Sequence, residues 1–207
     1  MRTRTVVGLA VAALVGGAAA LGWALSIFFA LREEEPVATT TGSPVITSEF
    51  ELVDQTGKAV RDEDFDGKWQ LVFFGFTSCP DICPTTLANV TAALGELGPA
   101  AGKLQPLLIT VDPERDTAPI LKEYLTAFDP RILGLTGTPE QVEKALRSFR
   151  VYASKRPLEG GDYTMDHSAF IYLMDARGSY AAHFSPQAPI EELVREVRAR
   201  VEGSTAS

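Results

Sequence analysis

The segment from residue 69 to 87 constrains the fold most, because it joins a buried strand to a helix and contains both cysteines of the chain. Residues 71–76 form an unbroken apolar run with aromatic and β-branched side chains, which predicts a central strand buried on both faces. Two prolines bracket the start of a helix that apolar periodicity continues through residues 85–97. Cys79 is therefore expected in the turn after the strand, and Cys83 in or near the first helical turn.

This position affects the chemistry of the two thiols. Free backbone N–H groups and the positive end of the helix dipole favour an anion, so Cys79 and Cys83 are both expected to ionise readily. Side chains four residues apart at a helix start share one face. Two sulfurs on one face can chelate a soft metal or close into a disulfide. The alternative is a pair of inert buried cysteines, which the flanking prolines and the polar turn disfavour.

The order of the other predicted elements indicates an α/β fold. Strands at 104–111 and 132–135 alternate with helices at 117–128 and 139–149. The other predicted elements are a strand and turn at 50–57, an edge strand at 150–154, a loop at 155–166, a hairpin of strands 169–174 and 180–184, and a helix at 189–201. Together they predict a thioredoxin-like domain, with a central mixed sheet flanked by helices and the cysteine turn at the carboxyl end of a central strand.

A metal site needs a third ligand, and the chain has two histidines, His167 and His183. His167 is predicted at the end of a loop that enters the sheet, from where it can approach a neighbouring strand end. His183 is predicted inside a strand, where a histidine usually packs or faces solvent. Cys79, Cys83 and His167 would form a two-sulfur, one-nitrogen set that suits Cu(I) or Cu(II) better than zinc, since a closed zinc site normally has four such ligands.

Charged residues follow the second strand of the α/β part. Asp112, Arg115 and Asp116 belong to the sequence DPERD, which directly follows the apolar strand at 104–111. One interpretation is a capped helix start with a local ion pair. The other places Asp112 and Asp116 beside the metal ligands, as supporting groups or as part of a docking surface. The sequence favours neither.

The N-terminus predicts a membrane anchor. Two arginines precede the 26-residue run 6–31, which contains no charged residue and spans about 39 Å as a helix at about 1.5 Å per residue. The apolar part of a cleaved signal peptide is usually shorter, which favours an uncleaved anchor without excluding cleavage. Residues 1–5 are then cytoplasmic, residues 32–44 are a flexible linker, and residues 45–207 form the exported domain. The net charge of −8 disfavours nucleic acid as a partner.

Several motifs in fixed order resemble the Sco/SenC family. They are GFTSCPDICPTTL at 75–87, DPERDTAP at 112–119, LTAFDP at 125–130, GLTGTP at 134–139 and MDHSAF at 165–170. The resemblance covers residues 45 to 200 and implies a thioredoxin-like fold, with copper bound by Cys79, Cys83 and His167. It further implies a role in assembling the dinuclear copper centre of cytochrome c oxidase. Its implied location is the outer face of a bacterial cytoplasmic membrane or of the mitochondrial inner membrane.

Two functions follow as hypotheses. The first is a membrane-anchored copper metallochaperone that delivers its metal to the copper-centre subunit of the oxidase. The second is a thiol–disulfide oxidoreductase, in which Cys79 and Cys83 cycle between a dithiol and a disulfide and reduce the cysteines of that subunit. Both need the dithiol in its reduced form. The copper donor is not identified by the sequence.

Overall fold

The apolar run that precedes the cysteines forms the middle of the sheet, as predicted. In the computed structural model, which describes residues 46–203, strand β3 (Trp69–Gly75) is buried at every position. It pairs in parallel with β4 (Leu104–Thr110) and antiparallel with β8 (Ile171–Met174). A strand with neighbours on both sides and helices on both faces has no exposed side, which explains its unbroken apolar sequence.

The described residues contain four α-helices and nine strands. The other strands are β1 (Glu51–Asp54), β2 (Ala59–Arg61), β5 (Leu133–Thr136), β6 (Ala153–Pro157), β7 (Tyr163–His167) and β9 (Tyr180–Phe184). The helices are α1 (Ile82–Leu97), α2 (Ala118–Leu125), α3 (Pro139–Ser148) and α4 (Ile190–Gly203). Seven strands form one mixed sheet in the order β2-β1-β5-β4-β3-β8-β9, and β6 and β7 pair separately.

Side-chain contacts put helices on both faces of the sheet. On one face, a Cβ atom added to Gly134 of β5 would touch Leu125 of α2, and one added to Gly75 of β3 would touch Cys83 of α1. On the other face, the ring of Phe74 lies 5.1 Å from that of Phe149, directly after α3. The predicted mixed sheet flanked by helices is therefore confirmed.

Helix α3 shows how a local sequence signal sets an element boundary. Thr138 precedes the helix, Pro139 is its first residue, and the Thr138 hydroxyl accepts a hydrogen bond from the Gln141 N–H across 3.3 Å. The Gln141 side chain accepts in turn from the Thr138 N–H across 2.8 Å, which completes a capping box. The start of α3 was predicted correctly from these residues.

The segment before His167 differs from the prediction. The loop expected at 155–166 is wrong, because β6 and β7 pair there from Ala153↔His167 to Pro157↔Tyr163. The edge strand expected at 150–154 is also wrong, since among the described strands β6 joins only β7 and lies outside the main sheet. Both strands are half-buried or exposed, so they lack the apolar pattern by which strands are recognised. We refer to residues 153–167 as the histidine hairpin.

The predicted anchor at 6–31 and the linker at 32–44 lie outside the described residues. Between residues 46 and 203, no helix has both the length and the apolar content that crossing a bilayer requires.

Candidate metal centre

The two cysteines lie at the carboxyl end of β3, on either side of the start of α1. The backbone N–H of Cys79 donates to the Phe76 carbonyl across 3.2 Å, which closes the turn after the strand. Cys83 lies in the first helical turn and is fully buried. A Cβ atom on Gly75 would lie 3.1 Å from Cys83 Sγ, so the glycine leaves room for the thiol against the sheet. We refer to residues 76–83 as the cysteine turn.

The two thiols differ in acidity. The Cys83 thiol donates to Cys79 Sγ, and the N–H groups of Asp81 and Cys83 donate to the same sulfur, the latter across 3.4 Å. These donors lower the pKa of Cys79 to about 5. Donation to Cys79, together with burial, raises the pKa of Cys83. The expectation of two readily ionised cysteines is therefore correct for Cys79 and wrong for Cys83, since the first negative charge disfavours a second beside it.

His167 is the last residue of β7 and reaches the cysteine turn from the side of β8. Its Nδ1 lies 3.0 Å from the carbonyl oxygen of Ser168, which can only accept, so Nδ1 carries the proton. The other ring nitrogen, Nε2, lies 3.9 Å from Cys83 Sγ. The rings of Phe73 and Phe76 pack edge-on against the imidazole, with centroids 6.5 and 5.8 Å away.

The spacing of these side chains is close to that of bound ligands without matching it. Among residues 46–203, no three His, Cys, Asp or Glu side chains have the spacing of a complete metal site. A trigonal site with metal–sulfur and metal–nitrogen bonds of about 2.3 and 2.0 Å places the sulfur and the nitrogen about 3.7 Å apart. The distance between Cys83 Sγ and His167 Nε2 is 3.9 Å, so a shift of a few tenths of an ångström would suffice for this pair.

A cavity of about 250 Å³ lies beside the predicted ligands. Cys79 and His167 both line it, while Cys83 is buried and is absent from its wall. The cavity is also lined by Phe76, Pro80, Asp81, Ile82, Thr164, Met165, Asp166 and Ala169. A ligand that enters from solvent therefore meets Cys79 and His167 first.

Asp116 supports the cysteine turn from beneath. Its carboxylate is fully buried and accepts hydrogen bonds from the Thr77 N–H across 3.0 Å, the Thr77 hydroxyl across 2.6 Å and the Thr110 hydroxyl across 2.7 Å. Burial raises the pKa of Asp116, and the three donors partly offset this rise. The carboxylate thus ties the residue two positions before Cys79 to the last residue of β4.

Asp112 contacts the other half of the site. It is buried and accepts hydrogen bonds from Arg115 Nε across 2.5 Å and from the Tyr163 hydroxyl across 2.8 Å. Burial and the bond to Asp112 raise the pKa of Tyr163 to about 12. Sequence reasoning identified Asp112, Arg115 and Asp116 but missed Tyr163 and Thr77. One sequence feature pointed to a further partner. DPERD contains three acidic side chains and a single arginine, so this arginine cannot pair with all of them.

His183 lies apart from these residues, on edge strand β9. Its Nδ1 is 2.5 Å from the Tyr180 hydroxyl, and its ring packs against that of Phe170 with the centroids 5.1 Å apart. The side chain is exposed, in agreement with the prediction that it faces solvent or packs.

Comparison with known proteins identifies the family of the chain. The SCO1/SenC family model matches residues 38–202. The chain belongs to the SCO1/SenC family. Protein sco1 of Schizosaccharomyces pombe is 40% identical over 170 residues, which cover 80% of this chain and 65% of the fission-yeast protein. The chain therefore spans slightly less than two thirds of the length of that relative.

Solved Sco structures share the fold. ScoI of Bradyrhizobium japonicum, solved with copper bound, is 46% identical, with a TM-score of 0.69 over 74% of this chain and 98% of that chain. BsSco, a member of the Sco family of cytochrome c oxidase assembly proteins in which a disulfide switch was identified, is 26% identical. Its TM-score is 0.61 over 77% of this chain and 96% of that chain. The predicted family and the thioredoxin-like fold are both confirmed.

Proposed function

We propose that this member of the SCO1/SenC family is a membrane-anchored copper metallochaperone that takes part in maturing the dinuclear copper centre of cytochrome c oxidase. The observation that carries the proposal is the 3.9 Å separation of His167 Nε2 and Cys83 Sγ, next to the cavity that Cys79 and His167 line. The copper-bound state of ScoI and the assembly role of the family to which BsSco belongs support it.

The donor atoms fit copper as a cargo. Cys79 and Cys83 supply two soft sulfurs and His167 supplies an imidazole nitrogen, a set that suits Cu(I) in trigonal geometry. The Nδ1–H bond to Ser168 leaves Nε2 with its lone pair. Cu(II) would need a fourth donor, such as a water oxygen. The side chains of the two prolines beside the cysteines offer no further donor atom.

Binding requires the loss of one proton. Cys79 has a lowered pKa and enters as a thiolate, whereas Cys83 enters as a thiol and releases its proton to solvent as its sulfur takes up the metal. The positive charge of Cu(I) replaces that proton between the two sulfurs. Delivery is the reverse, an exchange in which thiolates of the acceptor replace the two sulfurs and the imidazole one at a time.

Copper titration of the reduced chain tests this proposal. We expect one equivalent to bind, with sulfur-to-copper charge-transfer bands for Cu(II). The substitutions His167→Ala and Cys83→Ser should each weaken binding strongly, while His183→Ala, which alters the exposed histidine on β9, should not. If His167→Ala and Cys83→Ser both bound copper with the affinity of the unaltered chain, the proposed ligand set would be refuted.

The same proposal includes an arrangement on the membrane. Residues 6–31 would anchor the chain as a single pass, residues 32–44 would link it, and the domain from residue 45 would face the periplasm of a bacterium or the mitochondrial intermembrane space. Relatives named as mitochondrial, such as the SCO2 homolog of Bos taurus, support the second location if the source is eukaryotic. The mass of the mature protein and its partition into washed membranes test the anchor, since a cleaved form would lack residues 6–31.

A second candidate function is a thiol–disulfide oxidoreductase, with Cys79 and Cys83 as its catalytic residues. The contrast between an acidic, half-buried Cys79 and a buried Cys83 of raised pKa favours it, as does the disulfide switch of BsSco.

The Cys79 thiolate would attack a disulfide of the oxidase subunit and release one thiolate. Cys83 would then lose its proton and attack Cys79, releasing the second thiolate and forming the Cys79–Cys83 disulfide with two electrons transferred. Both cysteines are free thiols in the structure.

A single-turnover assay separates the two functions. The copper-free His167→Ala chain retains both thiols, so a reductase should still reduce one disulfide of an acceptor peptide per chain. If this variant reduces the peptide at the rate of the unaltered chain, thiol exchange operates independently of the imidazole. If it fails while Cys79 still reacts with an alkylating reagent, thiol exchange by the two cysteines alone is inadequate.

A further inference from the structure

The loop after β4, residues 112–116, contacts both halves of the candidate metal centre; we refer to it as the acidic loop. Through Asp116 it holds Thr77 of the cysteine turn. Through Asp112 and Arg115 it holds Tyr163, the first residue of β7. One short segment therefore connects the element that carries the sulfurs with the element that carries the imidazole.

The acidic loop holds Tyr163 by three different contacts. Its hydroxyl donates to Asp112 Oδ1 across 2.8 Å, and its backbone carbonyl accepts from Arg115 Nη1 across 3.0 Å. The guanidinium of Arg115 also lies 3.9 Å from the centre of the tyrosine ring. The Asp112–Arg115 ion pair orients both partners, since Arg115 Nε lies 2.5 Å from Asp112 Oδ2. Lys155 of β6 adds an ion pair to Glu114 across 2.5 Å.

These contacts matter because, within residues 46–203, the strand ladder of the main sheet does not include the histidine hairpin. In the part of the chain that the structure describes, β7 pairs with β6 alone, so the two strands form a unit that the sheet ladder does not fix. Tyr163 and His167 are the two ends of β7, about 13 Å apart at about 3.3 Å per residue. A contact that fixes Tyr163 therefore limits how far His167 can swing at the other end.

We propose that Asp112, Arg115 and Tyr163 form a positioning clamp that holds the histidine hairpin so that His167 Nε2 faces Cys83 Sγ. The three residues act through His167 and do not touch the metal. This inference rests on the copper-binding function proposed above and deepens it, because it identifies residues that set the contribution of the imidazole to affinity.

The clamp lowers the cost of bringing the third ligand into place. A ligand held near its bound position loses less conformational freedom on binding, and outer partners of metal ligands commonly affect affinity by about 10- to 100-fold. We expect Tyr163→Phe, which keeps the ring against Arg115 and removes only the hydroxyl, to weaken copper binding by about fivefold. Arg115→Gln, which removes the stacking and the bond to the Tyr163 carbonyl, should weaken it by about 20-fold.

The decisive measurement compares each clamp variant in two backgrounds. Cu(I) affinity is measured by competition with a chromophoric chelator for the reduced full-length chain, with His167 present and with His167→Ala. If the clamp acts through the imidazole, Tyr163→Phe and Arg115→Gln lower the affinity in the first background and leave it unchanged in the second. Equal losses in both backgrounds would show a general structural effect and overturn the proposal, as would unchanged affinity in both.

Matched variants elsewhere in the chain control for the chemistry of the substitutions. Tyr180→Phe removes a hydroxyl that contacts His183, and Arg131→Gln breaks a second Asp–Arg pair, with Asp129. Both should leave copper affinity unchanged in either background. A loss as large as that of the clamp variants would overturn the assignment of the effect to the clamp.

Hydrogen exchange of the metal-free chain gives a readout that does not depend on copper. The clamp predicts faster exchange of the β7 amides in Arg115→Gln, with the amides of β3 and β4 unaffected. If the unaltered chain bound no copper, the proposed function would fail, while faster exchange confined to β6 and β7 would still support the clamp. Unchanged exchange in the hairpin would overturn the clamp even if copper bound normally.

Discussion

The cysteine turn and the histidine hairpin contribute to the same candidate site, but they are built in different ways. The turn follows β3, a strand buried at all of its positions, and its second cysteine is itself part of the core. The hairpin is half-buried or exposed, and among the strands described from residue 46 to 203 it pairs only within itself. The sulfur half is therefore fixed by hydrophobic packing, whereas the imidazole half combines the packing of His167 against Phe73 and Phe76 with polar contacts to the acidic loop. Changes to the first half should affect folding and binding together, and changes to the second should affect binding alone.

The largest expected effect is that of Cys83→Ser on copper affinity. Losing one of two thiolate ligands should weaken binding by at least about 1,000-fold, or about 4 kcal/mol, which exceeds the 10- to 100-fold range of outer partners. Chelator competition measures it, and a urea unfolding curve shows whether the variant is folded. An affinity within tenfold of the unaltered chain would remove Cys83 from the ligand set.

Asp116→Ala should destabilise the fold by about 3 kcal/mol. The substitution leaves the Thr77 N–H and the Thr77 and Thr110 hydroxyls without their acceptor in a buried site, at about 1 to 3 kcal/mol for each donor that stays unpaired. Urea denaturation measures the change in the free energy of unfolding. Asp129→Ala is the matched control, because Asp129 pairs with the partly exposed Arg131 and should cost about 1 kcal/mol or less. Equal losses would mean that Asp116 has no special role beneath the turn.

Gly75→Ala should destabilise the fold by about 2 kcal/mol. Its new Cβ would lie 2.7 Å from a ring carbon of Phe73 and 3.1 Å from Cys83 Sγ, so both side chains must move within a packed core. Gly95→Ala in α1 is the matched control: a Cβ there meets nothing within 4 Å, and alanine is the better helix former by about 1 kcal/mol. The two variants should thus shift the unfolding midpoint in opposite directions. A stable Gly75→Ala chain would contradict the tight packing of the sulfur half.

The smallest expected effect is that of pH on the reactivity of Cys79. A thiol with a pKa near 5 is ionised throughout the range from pH 6 to 8, so its alkylation by iodoacetamide should rise by less than about 1.5-fold. A free cysteine with a pKa of about 8.5 would rise by roughly 75-fold over the same range. Below pH 5 the rate should fall as the thiolate becomes protonated. Mass spectrometry of the modified peptide assigns the reaction to Cys79, and a steep rise between pH 6 and 8 would contradict the donors seen around its sulfur.

The predictability of the two halves follows the same division. The strand at 71–76 could be predicted because its unbroken apolar run indicates burial on both faces. The helix after it could be predicted because its apolar residues recur at helical spacing. The histidine hairpin could not, because its strands bury little and pair with each other. Tyr163 was missed because a single aromatic residue in a glycine-containing loop gives no signal of its partner, which lies 51 positions away in Asp112. The position of His167 near the sulfurs was predicted from the expected sheet edge, although the strand that carries it was not.

The bond from His167 Nδ1–H to Ser168 has a consequence for metal release. The acceptor is the carbonyl of the very next residue, so the proton stays on the same nitrogen wherever the hairpin moves. An imidazole that moves away from the cysteines keeps its tautomer, so Nε2 is again the nitrogen that faces the metal when the ring returns. Release of copper from this ligand therefore requires no transfer of the ring proton from one nitrogen to the other.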